Sequence, residues 1–134
     1  MKKNLFIAIT AILMLANCNQ TKTFAPLNGE WTIISIDTMT VPETADAFLG
    51  FNIAEQLIYG NTGCNHLTGS MPTQINPETP IFEAIGSTRR MCTDMTVEDA
   101  LLPALAQVVD FKVNGDSLSL LDANGNIIIS LVKR

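Results

Sequence analysis

From residue 28 onward the chain is written in short runs of apolar residues, cut by asparagine-glycine pairs and prolines. Trp31, Ile33 and Ser35 alternate with Thr32, Ile34 and Ile36, which predicts a strand apolar on both faces and entered by a turn at Asn28-Gly29. Phe48–Ile53 predicts a second strand, with Phe48 or Phe51 inward according to register, and Leu57–Tyr59 a third. Asn61–Gly63 interrupts the pattern, after which Leu67–Met71 reads as a weaker strand. Pro72, Pro77 and Pro80 mark an irregular surface loop, and Ile81–Ile85 returns to the sheet.

One stretch changes period. Val97, Leu101, Leu105 and Val108 recur at helical spacing, with Leu102 and Val109 widening the stripe. Thr96 is placed to cap the first turn, and Glu98 and Asp99 put negative charge at the positive end of the helix. Pro103 predicts a kink or irregularity, because it lacks an N–H and crowds the preceding turn. Beyond the helix, Phe111 and Val113, Leu118 and Leu120, and Ile127 to Val132 are separated by Asn114-Gly115 and Asn124-Gly125, the signature of two or three antiparallel strands joined by tight turns. The fold class is therefore mainly β with one helix: a compact curled antiparallel sheet or partly open barrel, with the helix over one opening or face. The sequence contains no internal repeat.

The first residues follow a different rule. Lys2 and Lys3 precede eleven apolar-rich residues, Leu5 to Leu15, too few to cross a roughly 30 Å hydrocarbon layer comfortably, and the segment reads as an export signal. It runs into Leu15-Ala16-Asn17-Cys18, which resembles the bacterial lipoprotein signal despite Asn17 at a position where a small residue is expected. The resemblance implies removal of residues 1–17, lipid on Cys18, and attachment to the membrane through that lipid. An uncleaved anchor helix and ordinary secretory cleavage are the alternatives. Asn19, rather than aspartate, resembles the sorting pattern of outer-membrane lipoproteins, which implies an outer-membrane location facing the periplasm. Residues 18–25 read as a polar tether and 26–134 as one domain.

Charge narrows the partners. Removing Lys2 and Lys3 from eight basic residues leaves six against thirteen acidic ones, a balance of −7. That disfavours nucleic-acid backbones and electrostatic adhesion to anionic lipid. Cys64 and Cys92 remain after Cys18, and an even pair in an oxidising compartment reads as a disulfide, with two free, buried thiols as the alternative. Closing that loop would stabilise the fold by roughly 3.5 kcal/mol.

Gly63-Cys64-Asn65-His66-Leu67-Thr68-Gly69, then Thr88-Arg89-Arg90-Met91-Cys92, together with Gly29-Glu30-Trp31 and Leu118-Ser119-Leu120, resemble the HslJ-like, or META, domain from about Asn28 to Lys133. His66, Leu67 and Arg90 depart from the usual pattern of that family. The resemblance implies a compact β-rich domain with one helix, often in an envelope lipoprotein associated with stress or antibiotic tolerance. It implies no reaction.

Other chemistry is weaker. His66 could act as a general base beside Ser70, Thr68 or Ser87, but no Gly-x-Ser-x-Gly elbow is present, and nothing selects a pair among the acidic residues. Cys64, His66, Cys92 and Asp94 have zinc-ligand chemistry at a spacing that matches no named site, and a disulfide would remove two of the four. No cofactor is implied: the segment lacks the lysine of a phosphate-binding loop. Gly63 and Gly69 suit tight turns, and Asn65 suits hydrogen bonding to them, with ligand contact as its alternative role. The expected function is that of a non-enzymatic envelope lipoprotein domain contacting an unidentified envelope protein, with a binding module for a small apolar ligand as the alternative.

Overall fold

The computed structural model describes residues 21–134. A 3₁₀ turn, Ala25–Leu27, leads into β1 (Gly29–Ile36), and β2 (Met39–Thr40) folds back on it. β3 (Phe48–Asn52), β4 (Leu57–Asn61), β5 (His66–Ser70) and β6 (Glu83–Ser87) follow as one antiparallel meander. After α1 (Thr96–Leu105), the strands β7 (Asp110–Asn114), β8 (Ser117–Leu121) and β9 (Ile127–Lys133) form a second. β1 joins the two meanders, giving the order β6-β5-β4-β3-β1-β9-β8-β7.

The sheet is partly open. β6 and β7 stand at its two ends, so the chain between them must cross from one edge to the other, and it carries the helix. The Ile81 N–H donates to the Val108 carbonyl at 2.8 Å, tying together the approaches to the two edge strands. Among the described residues, no helix is long and apolar enough to cross a membrane.

The core explains the pattern in β1. Trp31 and Ile33 point inward by simple alternation, but Ile36 is buried too, although its parity is opposite. A register shift against β9 between Ile33 and Ser35 resolves this: the bulge reverses which residues face the core, leaving Ile34 42% exposed. In β3, Phe51 and Leu49 turn inward and Phe48 is half-buried. Gly50 lies under the ring of Tyr59 on the paired strand, where an added Cβ would stand 2.2 Å from Tyr59 Cζ. The Tyr59 hydroxyl donates to Glu30 Oε1 at 3.1 Å; burial first, and then this acceptor, hold its pKa above the ordinary value.

Several boundaries differ from the sequence pattern. The expected strand Ile81–Ile85 begins two residues later, because Ile81 and Phe82 are buried as anchors of the preceding loop. The expected strand Leu67–Met71 begins one residue earlier, at His66. Helix α1 stops at Leu105, so Val108 and Val109 bury themselves after it and not along its stripe. It runs through Pro103, which is exposed like Asp99, the residue whose carbonyl it leaves without a helical donor; water can satisfy that group. Thr96 is not the cap. Met95 occupies that place without a side-chain cap, while Asp94 Oδ1 accepts the Thr96 N–H at 2.9 Å. Within the expected tether, Phe24 is buried and stacks on Phe111, and Lys22 donates to the Phe111 carbonyl.

Candidate functional site

The Gly63–Gly69 segment lies where β4 turns into β5, facing the chain that leads from β6 into α1. Gly63 has φ +96°, a left-handed conformation that suits glycine. Its N–H donates to Asn61 Oδ1 at 3.0 Å, and Cys64 is joined to Cys92, with Cα atoms 5.9 Å apart. One covalent link therefore holds the turn against the approach to the helix.

Asn65 forms the centre. It is 2% exposed, and all four of its side-chain hydrogen-bonding positions are filled. Nδ2 donates to the Arg90 carbonyl at 3.0 Å and to Glu98 Oε1 at 2.8 Å. Oδ1 accepts from the Arg90 N–H at 2.7 Å and the Thr88 hydroxyl at 2.9 Å. The amide orientation is fixed by chemistry: a backbone N–H can only donate, and a carboxylate can only accept.

Glu98, 7% exposed on the first turn of α1, also accepts from the Thr62 hydroxyl at 2.7 Å. Thr62 Oγ1 in turn accepts the Asn65 N–H at 2.9 Å, and the Thr62 N–H donates to the Asn65 carbonyl at 2.9 Å. Arg90 Nη2 reaches the Cys64 carbonyl at 2.8 Å. Three separate stretches of chain are thus locked by one polar network beside one disulfide. Buried charge is costly unless hydrogen-bonded, and these donors supply what water would have supplied to Glu98.

Two clefts flank the network. One, of about 260 Å³, opens beside Thr62, Gly63, Cys92, Asp94 and Glu98; the Thr96 hydroxyl and N–H hold the Asp94 carboxyl below the usual carboxylate range. The other, of about 470 Å³, lies along the end of β6 beside Arg89, Arg90, Met91 and Met95.

The residues considered for chemistry part company. His66 is exposed at the start of β5, and its backbone N–H donates to the Thr88 hydroxyl at 3.1 Å. Ser70 Oγ donates to the Glu83 carbonyl at 3.3 Å, Thr68 is exposed, and Ser87 lies on the edge strand. Cys64 and Cys92 have joined each other, removing the sulfurs that a zinc site needed; among the described residues no group of three metal-ligating side chains forms. Gly69 serves close approach, since an added Cβ would lie 2.5 Å from Ile85 Cδ1. Glu98, Thr62 and Thr88 were not legible as partners of Asn65. The only hint for Glu98 was its place beside the apolar stripe, between Val97 and Leu101. Cys18 lies outside the described residues.

The family model described as META domain matches residues 22–134. Among solved structures, the chain is similar to a protein from Burkholderia xenovorans determined by NMR, with a TM-score of 0.66 and 20% identity over 85% of this chain and 89% of that one. It is also similar to a DUF4847 family protein from Bacteroides vulgatus, with a TM-score of 0.54 and 12% identity over 81% and 94%. At these identities the likeness concerns the fold alone. No curated protein matches the chain.

Proposed function

The chain belongs to the META domain family, and on that premise we infer that it works as a non-enzymatic domain of the bacterial cell envelope, held at the membrane by lipid on Cys18. The observation that carries this reading is the internal use of the loop. Cys64, Asn65, Thr62 and Glu98, the residues buried at the centre of the site, are bonded to one another, to Cys92 and to the backbone. Such a network gives rigidity to a surface; it holds no activated nucleophile.

The role is envelope maintenance or tolerance of stress or antibiotics, exercised by contact with another envelope component. The outer membrane, on its periplasmic side, fits the asparagine after Cys18. A small apolar ligand inside the curl is less well supported, because Trp31, Leu49, Phe51 and Phe111 fill that interior. Intact-mass analysis of protein from its native host is the test. Loss of residues 1–17 with acyl chains on Cys18 is expected, and Cys18→Ser should release processed protein from membranes. An unmodified secreted chain, or one that retains the signal, would remove the anchored reading.

A further inference from the structure

β6 ends the sheet, and its outer side pairs with no strand among the described residues. Its two halves differ. The first carries the register shift against β5 and Ala84 at φ +50°, distortions that discourage a further strand, and begins with the acidic Glu83. The second half is regular. Leu67 pairs with Ser87 and Thr68 with Gly86, while the Thr88 N–H donates to the His66 carbonyl at 3.0 Å. In an antiparallel ladder this register points the Gly86 amide groups toward β5, so the Ile85 carbonyl and both amide groups of Ser87 face outward. One donor and two acceptors therefore face an open edge.

That edge borders the cleft of about 470 Å³, lined by Ile85, Ser87, Arg89, Arg90, Met91 and Met95 among others. Arg89 and Arg90 are the only lysine or arginine residues between Thr23 and Phe111. Arg90 is held on the Cys64 carbonyl, whereas Arg89 is exposed and makes no hydrogen bond or ion pair among the described residues. Met91 is 86% exposed, and a flexible thioether adapts readily to an apolar side chain. The one carboxylate lining the cleft, Glu98, is already engaged by Thr62 and Asn65.

We propose that the second half of β6 is a docking edge for an extended, acidic segment of a partner protein. The segment adds as a strand on the Ile85 carbonyl and the Ser87 amide groups, sets an acidic side chain on Arg89 and rests an apolar one against Met91 and Met95. Sign decides the partner: the rest of the surface is predominantly acidic, so a local cationic spot selects an anionic ligand. The proposal rests on the contact role given above and names its surface and partner class.

The test uses the full chain in detergent and a synthetic peptide alternating glutamate or aspartate with valine or isoleucine, against the same peptide with its acids replaced by lysine. The acidic peptide should bind at least about fivefold more tightly, the scale of a few exposed ion pairs, and hydrogen exchange at the Ser87 amide should slow. Ser87→Pro removes an outward N–H that the native ladder does not use, so the fold should persist while binding is lost. Arg89→Glu should reverse the charge preference. No binding, equal binding of both peptides, or binding unaffected by both variants would overturn the proposal. Dimerisation through β6 without peptide would overturn it in favour of a second copy. None of these results depends on the lipid anchor or on catalysis, so failure here leaves the anchored, non-enzymatic reading intact.

Discussion

Replacing Asn65 by aspartate keeps the shape of the side chain and changes one group, the amide that meets Glu98. Nδ2 lies 2.8 Å from Glu98 Oε1, so the variant puts two carboxyls at that separation. If both ionise, their repulsion is about 6 kcal/mol at an effective dielectric constant of 20. Keeping one proton on the pair at pH 7 instead costs about 4 kcal/mol, from an unfolded carboxyl value near 3.9. The smaller cost wins, so the pair holds its proton. Losing the second donor, toward the Arg90 carbonyl, adds about 1 kcal/mol. The total approaches the whole margin of a small domain. The sign follows from linkage: the folded state keeps a proton that the unfolded state releases, so stability falls as pH rises above about 4, by about 1.4 kcal/mol per unit. Near pH 4 only the lost hydrogen bond should remain. Urea denaturation at stepped pH measures this, and adding Glu98→Gln should restore most of the stability at neutral pH. A loss equal at every pH, or no rescue by Glu98→Gln, would refute the placement of the amide against the Glu98 carboxyl.

Cys64→Ser and Cys92→Ser should each destabilise the domain by roughly 2–5 kcal/mol, and the double variant should cost little more, since either change removes the same bond. Denaturant midpoints of the three variants decide this. Asp94→Asn should flatten part of the acid side of the stability profile: a carboxyl whose folded pKa is lowered contributes above its unfolded value, near 4, and loses that contribution as pH falls through the folded value. Thermal melts between neutral and acid pH compare the two proteins. His66→Ala should leave the melting temperature and envelope phenotype unchanged, because its side chain is exposed outside the network; a thousandfold loss of some hydrolytic turnover at unchanged stability would overturn the non-enzymatic reading.

The antiparallel strands and tight turns near the C-terminus, the single helix and the Cys64–Cys92 pairing were legible because each has a local or compositional cause: Asn-Gly turns, a helical apolar stripe, and two cysteines left to pair. The resemblance of the start to a lipoprotein signal rests on contiguous residues alone, and those lie outside the described structure. Where the sequence misled, the deciding contact came from elsewhere. Ile81 and Phe82 have strand composition, yet the tie from Ile81 to Val108 and their burial under the loop draw them out of β6. Ile36 faces inward only because the pairing with β9 contains a bulge, which no alternation within β1 reveals. Glu98 is the plainest case. Read along the chain it is a charge at a helix start; in the fold it lies beneath Thr62 and Asn65, 36 and 33 residues away. A short-range pattern can fix where side chains point along one element, but a buried carboxylate is stable only if donors from other elements converge on it, and tertiary packing alone decides that convergence.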